Sequence, residues 1–534
     1  MFMLKYPRIS AGVITFQEGV MNIVEALERA DRENSQKDFL KYDGGKKTFS
    51  GLFSEVKKFA AGLKKLGVKK GDRVALLVNN SPEFIVAYFA AVYLGAEAVP
   101  LNTFLRLEEV LYILDDSKAK VFITTPDFNN ILKDLTMNRA QALEHVIGIG
   151  EIGFEKYIKY GDVFENEGCD SADISDNDTA VIIYTSGTTG YPKGAMLSHK
   201  NLISNVESSV KAIQIKKSDR FIIFLPMFHA FSFTVCVLLP LYQQCNLTII
   251  KSIQPFGKIL KAIVKDRISV FVAIPQVYNV LAGKKFNKFL LKLFSLMNPI
   301  RVCISGAAPL AGEVLRKFEK RFGVPLMEGY GLSEASPVVS VNPLDGVRKA
   351  GSVGPVVPGV KAKVVDEEGN EIKDGSAGEL VVSGPNIMKG YFNNEQETAE
   401  MLKDGWLYTG DIAKIDSGGY IYIVDRKKDL IIVNGMNLYP REVEEVLYTH
   451  PSVEDAAVVG KKDPSHGEIP VGVIKLREGE AVSEGELKKF LRPHFGNYKV
   501  PHKFEFWDEL PRNGTGKILK REIRNIINRE ESGK

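Results

Sequence analysis

Apolar positions recur at helical spacing in "VEALERAD" and again in "FSGLFSEVKKFAAGLKKLG", which closes on Gly67. "GDRVALLV" then reads as a short strand, and the apolar window Phe84 to Ala96, "FIVAYFAAVYLGA", as a buried helix. "AEAVPLN" is the next strand, and "LEEVLYILDDSKAKVFITT" repeats the helix-then-strand order. Strands alternating with helices predict parallel sheets covered on both faces. The polar stretch "CDSADISDNDTA" interrupts this rhythm and predicts a surface crossing to a buried strand, Ala180-Val181-Ile182-Ile183. Beyond about residue 350 the period shortens: "KAKVVDEEGNEIKDGSAGELVVSG" alternates around Glu-Gly-Asn and Asp-Gly turns and predicts antiparallel hairpins. "GGYIYIVDRKKDLIIVNG" reads as two strands broken by Asp425-Arg426-Lys427-Lys428, and a compact α+β stretch follows, ending in the basic helix "KILKREIRNIINRE". Four charged residues between two strands predict exposed chain, the composition of a hinge. The expected division is therefore a large domain over 1–424, a hinge at 425–428 and a small domain over 429–534. No internal repeat or low-complexity segment interrupts it.

Composition narrows the function classes. A chain of 534 residues exceeds the size at which one core keeps growing. With 70 basic and 66 acidic residues the net charge is only +4, which gives no support for nucleic-acid binding. The cysteines, Cys169, Cys236, Cys245 and Cys303, form no CxxC pair, which argues against a disulfide framework or a zinc site and fits a reducing cytoplasm. The opening "MFMLKYPRIS" lacks a signal-peptide layout, and the Phe84 window is too short to span a bilayer. The expected location is cytoplasmic, with weak peripheral contact at the inner membrane face and homodimerisation left open.

Candidate chemistry begins at "YTSGTTGYPKG", Tyr184 to Gly194, directly after the buried strand. Glycines bring backbone N–H groups close to an anion, hydroxyls donate to its oxygens and a lysine offsets its charge. The order is not that of a Walker loop, because Lys193 sits between Pro192 and Gly194. Further stretches accompany it: "LPMFHAFSF" with His229, "MEGYGLSE" with Tyr330, Ser333 and Glu334, "YTGD" with Asp411, "DRKKDLIIVNGMNLYPREVE", and "LPRNGTGKILKRE" with Lys517. Lys517 is read as the start of a helix after a Gly-rich turn. A cation is disfavoured there unless an anion normally sits opposite. His229, among Phe228, Phe231 and Phe233, reads by itself as a core residue.

With these motifs in this order, the chain resembles the adenylate-forming superfamily of acyl-CoA synthetases, firefly luciferase and peptide-synthetase adenylation domains over nearly its whole length. "EGYGLSEASPVVSVNP" and "DRKKDLIIVNGMNLYPREVEEV" are most similar to the bacterial long-chain fatty-acid–CoA ligases. The resemblance implies an α/β fold: a large N-terminal domain of sheets layered with helices plus a β-barrel-like part, and a small mobile α+β C-terminal domain. It implies activation of a carboxylate by ATP to an acyl-adenylate with loss of pyrophosphate, then transfer to CoA with loss of AMP, supported by Mg²⁺. Two anions must meet in the first step, so cations and N–H dipoles are needed to absorb their charge.

Residue by residue, the resemblance gives Thr185, Ser186, Gly187, Thr188, Thr189, Gly190 and Lys193 to the β- and γ-phosphates, and Glu334 with Thr185 to Mg²⁺. Tyr330, held between Gly329 and Gly331, is expected against adenine, and Ser333, where threonine is commoner, at the α-phosphate. Asp411 and Arg426 are expected at the ribose hydroxyls. Lys517 would reach the carboxylate and α-phosphate, and His229 would be a gate and wall beside the acyl carboxylate. Lys428 matches the hinge and Gly435 the segment brought against the adenylate for CoA transfer.

Amino-acid-activating relatives carry an aspartate where this chain has His229 followed by Ala230, Phe231 and Ser232, so an α-amino acid is not expected. Phe233 and the small wall residues Gly306, Ala307 and Ala308 favour a long-chain fatty acid. An aryl acid, as in coumarate ligases, and an acyl-carrier protein as acceptor stay open. A non-reacting adenylate sensor ranks below the enzyme, because Lys517 and Glu334 are both present. The closing "ESGK" is not a peroxisomal signal, and no carrier domain is expected.

Overall fold

The computed structural model describes residues 21–135, 140–185, 192–283, 299–434, 436–463, 465–512 and 517–529. Two eight-stranded sheets form the body of the large domain. In the first, the strands Glu97–Pro100, Arg73–Leu77, Ala119–Thr124, His145–Gly148 and Ile158–Lys159 run parallel. The strand Thr179–Thr185 joins them in parallel at Glu97–Pro100. It then turns back antiparallel into Lys193–Ser198, with Thr185 opposite Lys193. The candidate phosphate loop thus starts from Thr185 and returns at Lys193, residues that face each other on paired strands. The second sheet runs parallel through Leu326–Gly331, Val302–Ser305, Val270–Ala273, Arg220–Ile223, Asn246–Ile249 and Asp38–Tyr42.

The apolar window predicted as a buried helix is the helix Pro82–Tyr93, in which every residue except Glu83 is buried. Ser81 caps it, accepting from Phe84 N at 3.2 Å, and Pro82 supplies a first residue that has no N–H to satisfy. Its residues share one apolar cluster with Val74 and Leu76 of the first sheet and Phe221 and Ile223 of the second, so the two sheets have a common core. Among the described residues no helix is long and apolar enough to cross a membrane.

The hairpins predicted beyond residue 350 form a five-stranded antiparallel sheet, Lys361–Val365, Gly378–Ser383, Leu402–Lys403, Trp406–Ile415 and Ile421–Arg426. This sheet corrects the expected boundary. Its last strand pairs through Asp425 and Arg426, which lie in the large domain's sheet rather than in a free linker. Asp425 is not exposed either; it is 5% accessible, while Lys427 and Lys428 are exposed in the turn Lys427–Asp429.

The small domain is a second five-stranded sheet with helices on both faces. Period-two alternation divides the strand Val453–Asp463 between two small cores. Ala456 and Val458 face the helices Pro440–Leu447 and Glu484–Leu491, whereas Ala457 and Val459 face Ile523 and Ile527 of the last helix. That helix spans Lys520–Arg529, so Lys517 precedes it by a few residues and is not its first turn, as had been expected. Ile518 bridges back to Arg512, and Leu519 N donates to Pro511 O at 2.8 Å, which keeps the chain extended up to the helix.

Candidate active site

Asp411 is the best-anchored member of the site. It faces Arg426 across antiparallel strands, and Arg426 Nε lies 2.9 Å from Asp411 Oδ1. Tyr330 Oη donates to the other carboxylate oxygen, Oδ2, at 2.5 Å. Asp411 itself is buried, and its backbone N–H donates to Thr409 Oγ1 at 3.1 Å. Burial, reinforced by Asp411, pushes the Tyr330 phenol well above its usual range, so it remains a donor. Tyr330 closes the strand Leu326–Gly331 between two glycines. Gly331 is required by close approach, since a Cβ there would lie 2.0 Å from Pro337 O.

Lys517 joins this group from the small domain. Its electrostatic neighbours are Arg426, Asp411, Asp429 and Lys428. The Arg426 guanidinium beside it, together with burial, holds the Lys517 ammonium down at about 8. His229 lies within reach of the same charge: burial and then Lys517 push its imidazole down to about 4, so it is neutral at physiological pH. His229 also opens the helix Ala230–Phe233, its Nδ1 accepting from Phe231 N at 3.3 Å.

A second group centres on Glu334, in the short turn Ser333–Ala335. Its carboxylate is buried and acts on Arg426, which ties the two groups together. Glu334 Oε1 accepts from Tyr391 Oη at 2.8 Å and faces Thr185 Oγ1 at 3.5 Å. Oε2 accepts no hydrogen bond among the described residues. A carboxylate with one oxygen held and one open, beside a hydroxyl, fits Mg²⁺, which takes one or two carboxylates and draws its remaining ligands from phosphate and water. Among the described residues there is no group of three His, Cys, Asp or Glu side chains that could cage a metal by itself.

Lys193 is buried at the foot of the hairpin and pairs with Glu397 of the helix Glu395–Met401; its ammonium lies 5.9 Å from the centre of the Tyr391 ring. Ser186, Gly187, Thr188, Thr189, Gly190 and Gly435 lie outside the described residues.

The wall residues differ from the expectation in one respect. Gly306 was read as leaving room, but a Cβ there would lie 2.7 Å from the Phe231 ring, so the aromatic side chain already fills that space. Ala307 adopts φ +67° and turns the chain. Glu328 holds the loop from behind, its Oε1 accepting from Leu310 N at 2.9 Å. Behind His229 lies an apolar pocket of about 10 Å³, lined among others by Tyr88, Ile183, Leu202, Phe228 and Phe233. The Phe233 ring lies 4.4 Å from that of Tyr88.

Sequence reasoning missed Tyr391, Glu397 and Asp425. Tyr391 and Glu397 belong to "GYFNNEQETAE", whose strand-then-helix pattern carries no chemical signature. Asp425 accepts from Arg441 N at 2.8 Å, at the first turn of the helix Pro440–Leu447.

Known proteins resemble this chain over nearly its whole length. The family described as AMP-binding enzyme matches residues 27–392, and AMP-binding enzyme C-terminal domain matches residues 442–517. The chain is 35% identical to a feruloyl-CoA synthase of an Amycolatopsis species over 488 residues, 91% of this chain and 95% of the relative. It is 34% identical to a long-chain-fatty-acid–CoA ligase of Bacillus subtilis (strain 168) over 517 residues, 91% of each. Among solved structures, an anthranilate CoA ligase in complex with anthranoyl-AMP superposes with a TM-score of 0.88 at 27% identity, covering 96% of this chain and 98% of that one. An o-succinylbenzoate CoA synthetase of Bacillus subtilis in complex with ATP and magnesium superposes with a TM-score of 0.80 at 28% identity, covering 93% and 98%. The chain belongs to the AMP-binding enzymes, as an acyl-CoA synthetase of the adenylate-forming superfamily.

Proposed function

We propose that this acid–CoA ligase acts on a long-chain fatty acid and that the two groups around Asp411 and Glu334 are its adenylation site. The acid's carboxylate oxygen attacks the α-phosphorus of ATP, the bond to the β-phosphate oxygen breaks, and pyrophosphate leaves. The CoA thiolate then attacks the acyl carbonyl, and AMP leaves. Asp411 and Arg426 hold the ribose and Tyr330 lies against adenine. Each Asp411 oxygen already has one protein donor and keeps a second lone pair for a ribose hydroxyl. Ser333 donates to the α-phosphate, and the stretch from Thr185 to Lys193 receives the outer phosphates. Lys193 reaches them only when its pair with Glu397 opens. Glu334 and Thr185 would hold Mg²⁺, which when bound neutralises phosphate charge. Lys517 brings positive charge to the meeting point of the two anions. His229, neutral, walls the carboxylate without competing for it. Lys428 is the pivot on which the small domain turns for the second step, bringing Gly435 toward the adenylate.

The observation that carries the substrate reading is the pocket beside His229, none of whose lining residues is charged. Such a lining favours methylenes and offers no carboxylate to an α-ammonium group. At about 10 Å³ it is shut, so an acyl tail enters by displacing Phe233. One observation favours a second reading, an oxygenated aryl acid: Tyr88 Oη is buried on this pocket without a hydrogen-bond partner among the described residues. Pyrophosphate release across C2 to C18 and cinnamate-type acids, with and without CoA, separates the two. On the fatty-acid reading kcat/KM climbs with chain length, each buried methylene adding up to about 0.8 kcal/mol, and Tyr88→Phe leaves the order of preference unchanged. A maximum at hydroxycinnamates that Tyr88→Phe abolishes moves the assignment to the aryl acid.

A further inference from the structure

The contacts of Glu334 assign a role to a residue outside every motif of the reaction. Tyr391 lies in the short strand Gly390–Tyr391, antiparallel to the hairpin strand Lys193–Ser198 and opposite Ala195. Backbone bonds fix it on both sides: Lys389 N donates to Met196 O at 2.9 Å and Phe392 N to Gly194 O at 2.7 Å. Its own N–H donates to Thr398 Oγ1 at 2.8 Å, and the side chain is 6% exposed. Its ring is flanked by Lys193, itself paired with Glu397. From this frame Tyr391 Oη donates to Glu334 Oε1 at 2.8 Å.

We propose that Tyr391 is a positioning residue for the Glu334 carboxylate: its hydroxyl, held by the strand that flanks the phosphate hairpin, fixes Oε1 and leaves Oε2 as the oxygen for Mg²⁺. This rests on the reading of Glu334 as a metal ligand. Partners that orient a ligating carboxylate typically contribute 10- to 100-fold, about as much as their loss removes from metal affinity. Thr185 Oγ1, at 3.5 Å, is too distant to hold Oε1 alone with comparable geometry. The same contact links Glu334 to the strand Lys193–Ser198, because Lys389 and Phe392, on either side of Tyr391, are bonded to that strand.

The test is Mn²⁺ binding to the enzyme–ATP complex, followed by electron paramagnetic resonance, in wild type, Tyr391→Phe, Glu334→Gln and the double variant, with thermal melting of each. Tyr391→Phe is expected to weaken Mn²⁺ about tenfold, to raise the Mg²⁺ needed for half-maximal pyrophosphate exchange by the same factor, and to leave the affinity for ATP in EDTA unchanged. In the Glu334→Gln background it is expected to add nothing, the coupling of a residue that acts through Glu334. Equal Mn²⁺ affinity in wild type and Tyr391→Phe, while Glu334→Gln loses it, overturns the role of Tyr391 alone. Unchanged affinity in Glu334→Gln overturns the metal reading beneath it. A Tyr391→Phe defect that persists at full size in the double variant makes the residue structural, and also overturns the proposal.

Discussion

Asp425→Ala is expected to separate the two proposed half-reactions. Asp425 is the penultimate residue of the large domain's strand Ile421–Arg426, and its Oδ2 accepts from Arg441 N, the second residue of the helix Pro440–Leu447 in the small domain. The helix's own N-cap residue, Tyr439, contributes no side-chain cap, and Pro440 has no N–H, so Asp425 serves as the cap from across the hinge. Removing such a cap costs about 1 kcal/mol, and the carboxylate's interaction with the helix dipole adds about 0.3–1 kcal/mol. The bond joins residues on either side of the Lys427–Asp429 turn, so the rotation proposed there would break it. On the proposed two-orientation mechanism, the loss of about 1–2 kcal/mol falls on the orientation seen here, with Lys517 inside, and shifts the ratio of the two orientations about five- to thirtyfold. Whatever the starting ratio, the rate of CoA transfer from pre-formed acyl-adenylate, divided by the rate of pyrophosphate–ATP exchange, is expected to rise by that factor. Asp425→Asn keeps the acceptor and loses the charge, so its rise is smaller. An unchanged or falling quotient in Asp425→Ala, with the protein still folded by circular dichroism, would refute the reasoning.

Lys517→Ala is expected to lower pyrophosphate exchange about 10²- to 10³-fold, the loss typical of one group aimed at developing charge, while ATP binding by calorimetry is retained. Lys517 is protonated below its pKa, so adenylation at subsaturating acid is expected to hold steady from about pH 5 to 7 and to fall as pH rises through about 8. Lys517→Arg should move that limb out of range, and a limb that persists assigns it elsewhere. His229, depressed to about 4, gives no limb near 6.5. In Gly306→Val the new side chain would collide with the Phe231 ring, 2.7 Å from the Cβ position; the displaced ring is expected to raise KM for the acid with KM for ATP unchanged, as steady-state kinetics will tell.

Much of this was legible because the chemistry is local in sequence. The strand before the hairpin, the strand end at Tyr330 and the strand through Asp411 each carry apolar residues and glycines that name their own geometry. The Asp411–Arg426 pair also follows from two alternating strands meeting in register. What escaped depends on partners far along the chain. Four adjacent charges read as exposed, and only a helix N-terminus 16 residues on makes one of them a buried acceptor. Tyr391 finds Glu334 across 57 residues. The glycine at 306 read as empty space, because a sequence does not say which neighbouring ring fills a missing Cβ. The final helix was placed too early because the Arg512–Ile518 bridge keeps the chain extended past Lys517.

The most direct test of the chemistry assigned to this site is the fate of the acid's oxygens. Acid labelled with ¹⁸O in both carboxylate positions is turned over with ATP and CoA, and the products are weighed by mass spectrometry. Attack of the carboxylate on the α-phosphorus, followed by cleavage of the acyl–oxygen bond, predicts AMP carrying one ¹⁸O and a thioester retaining the other. Label recovered in inorganic phosphate, with ADP in place of AMP, would contradict the account at its root.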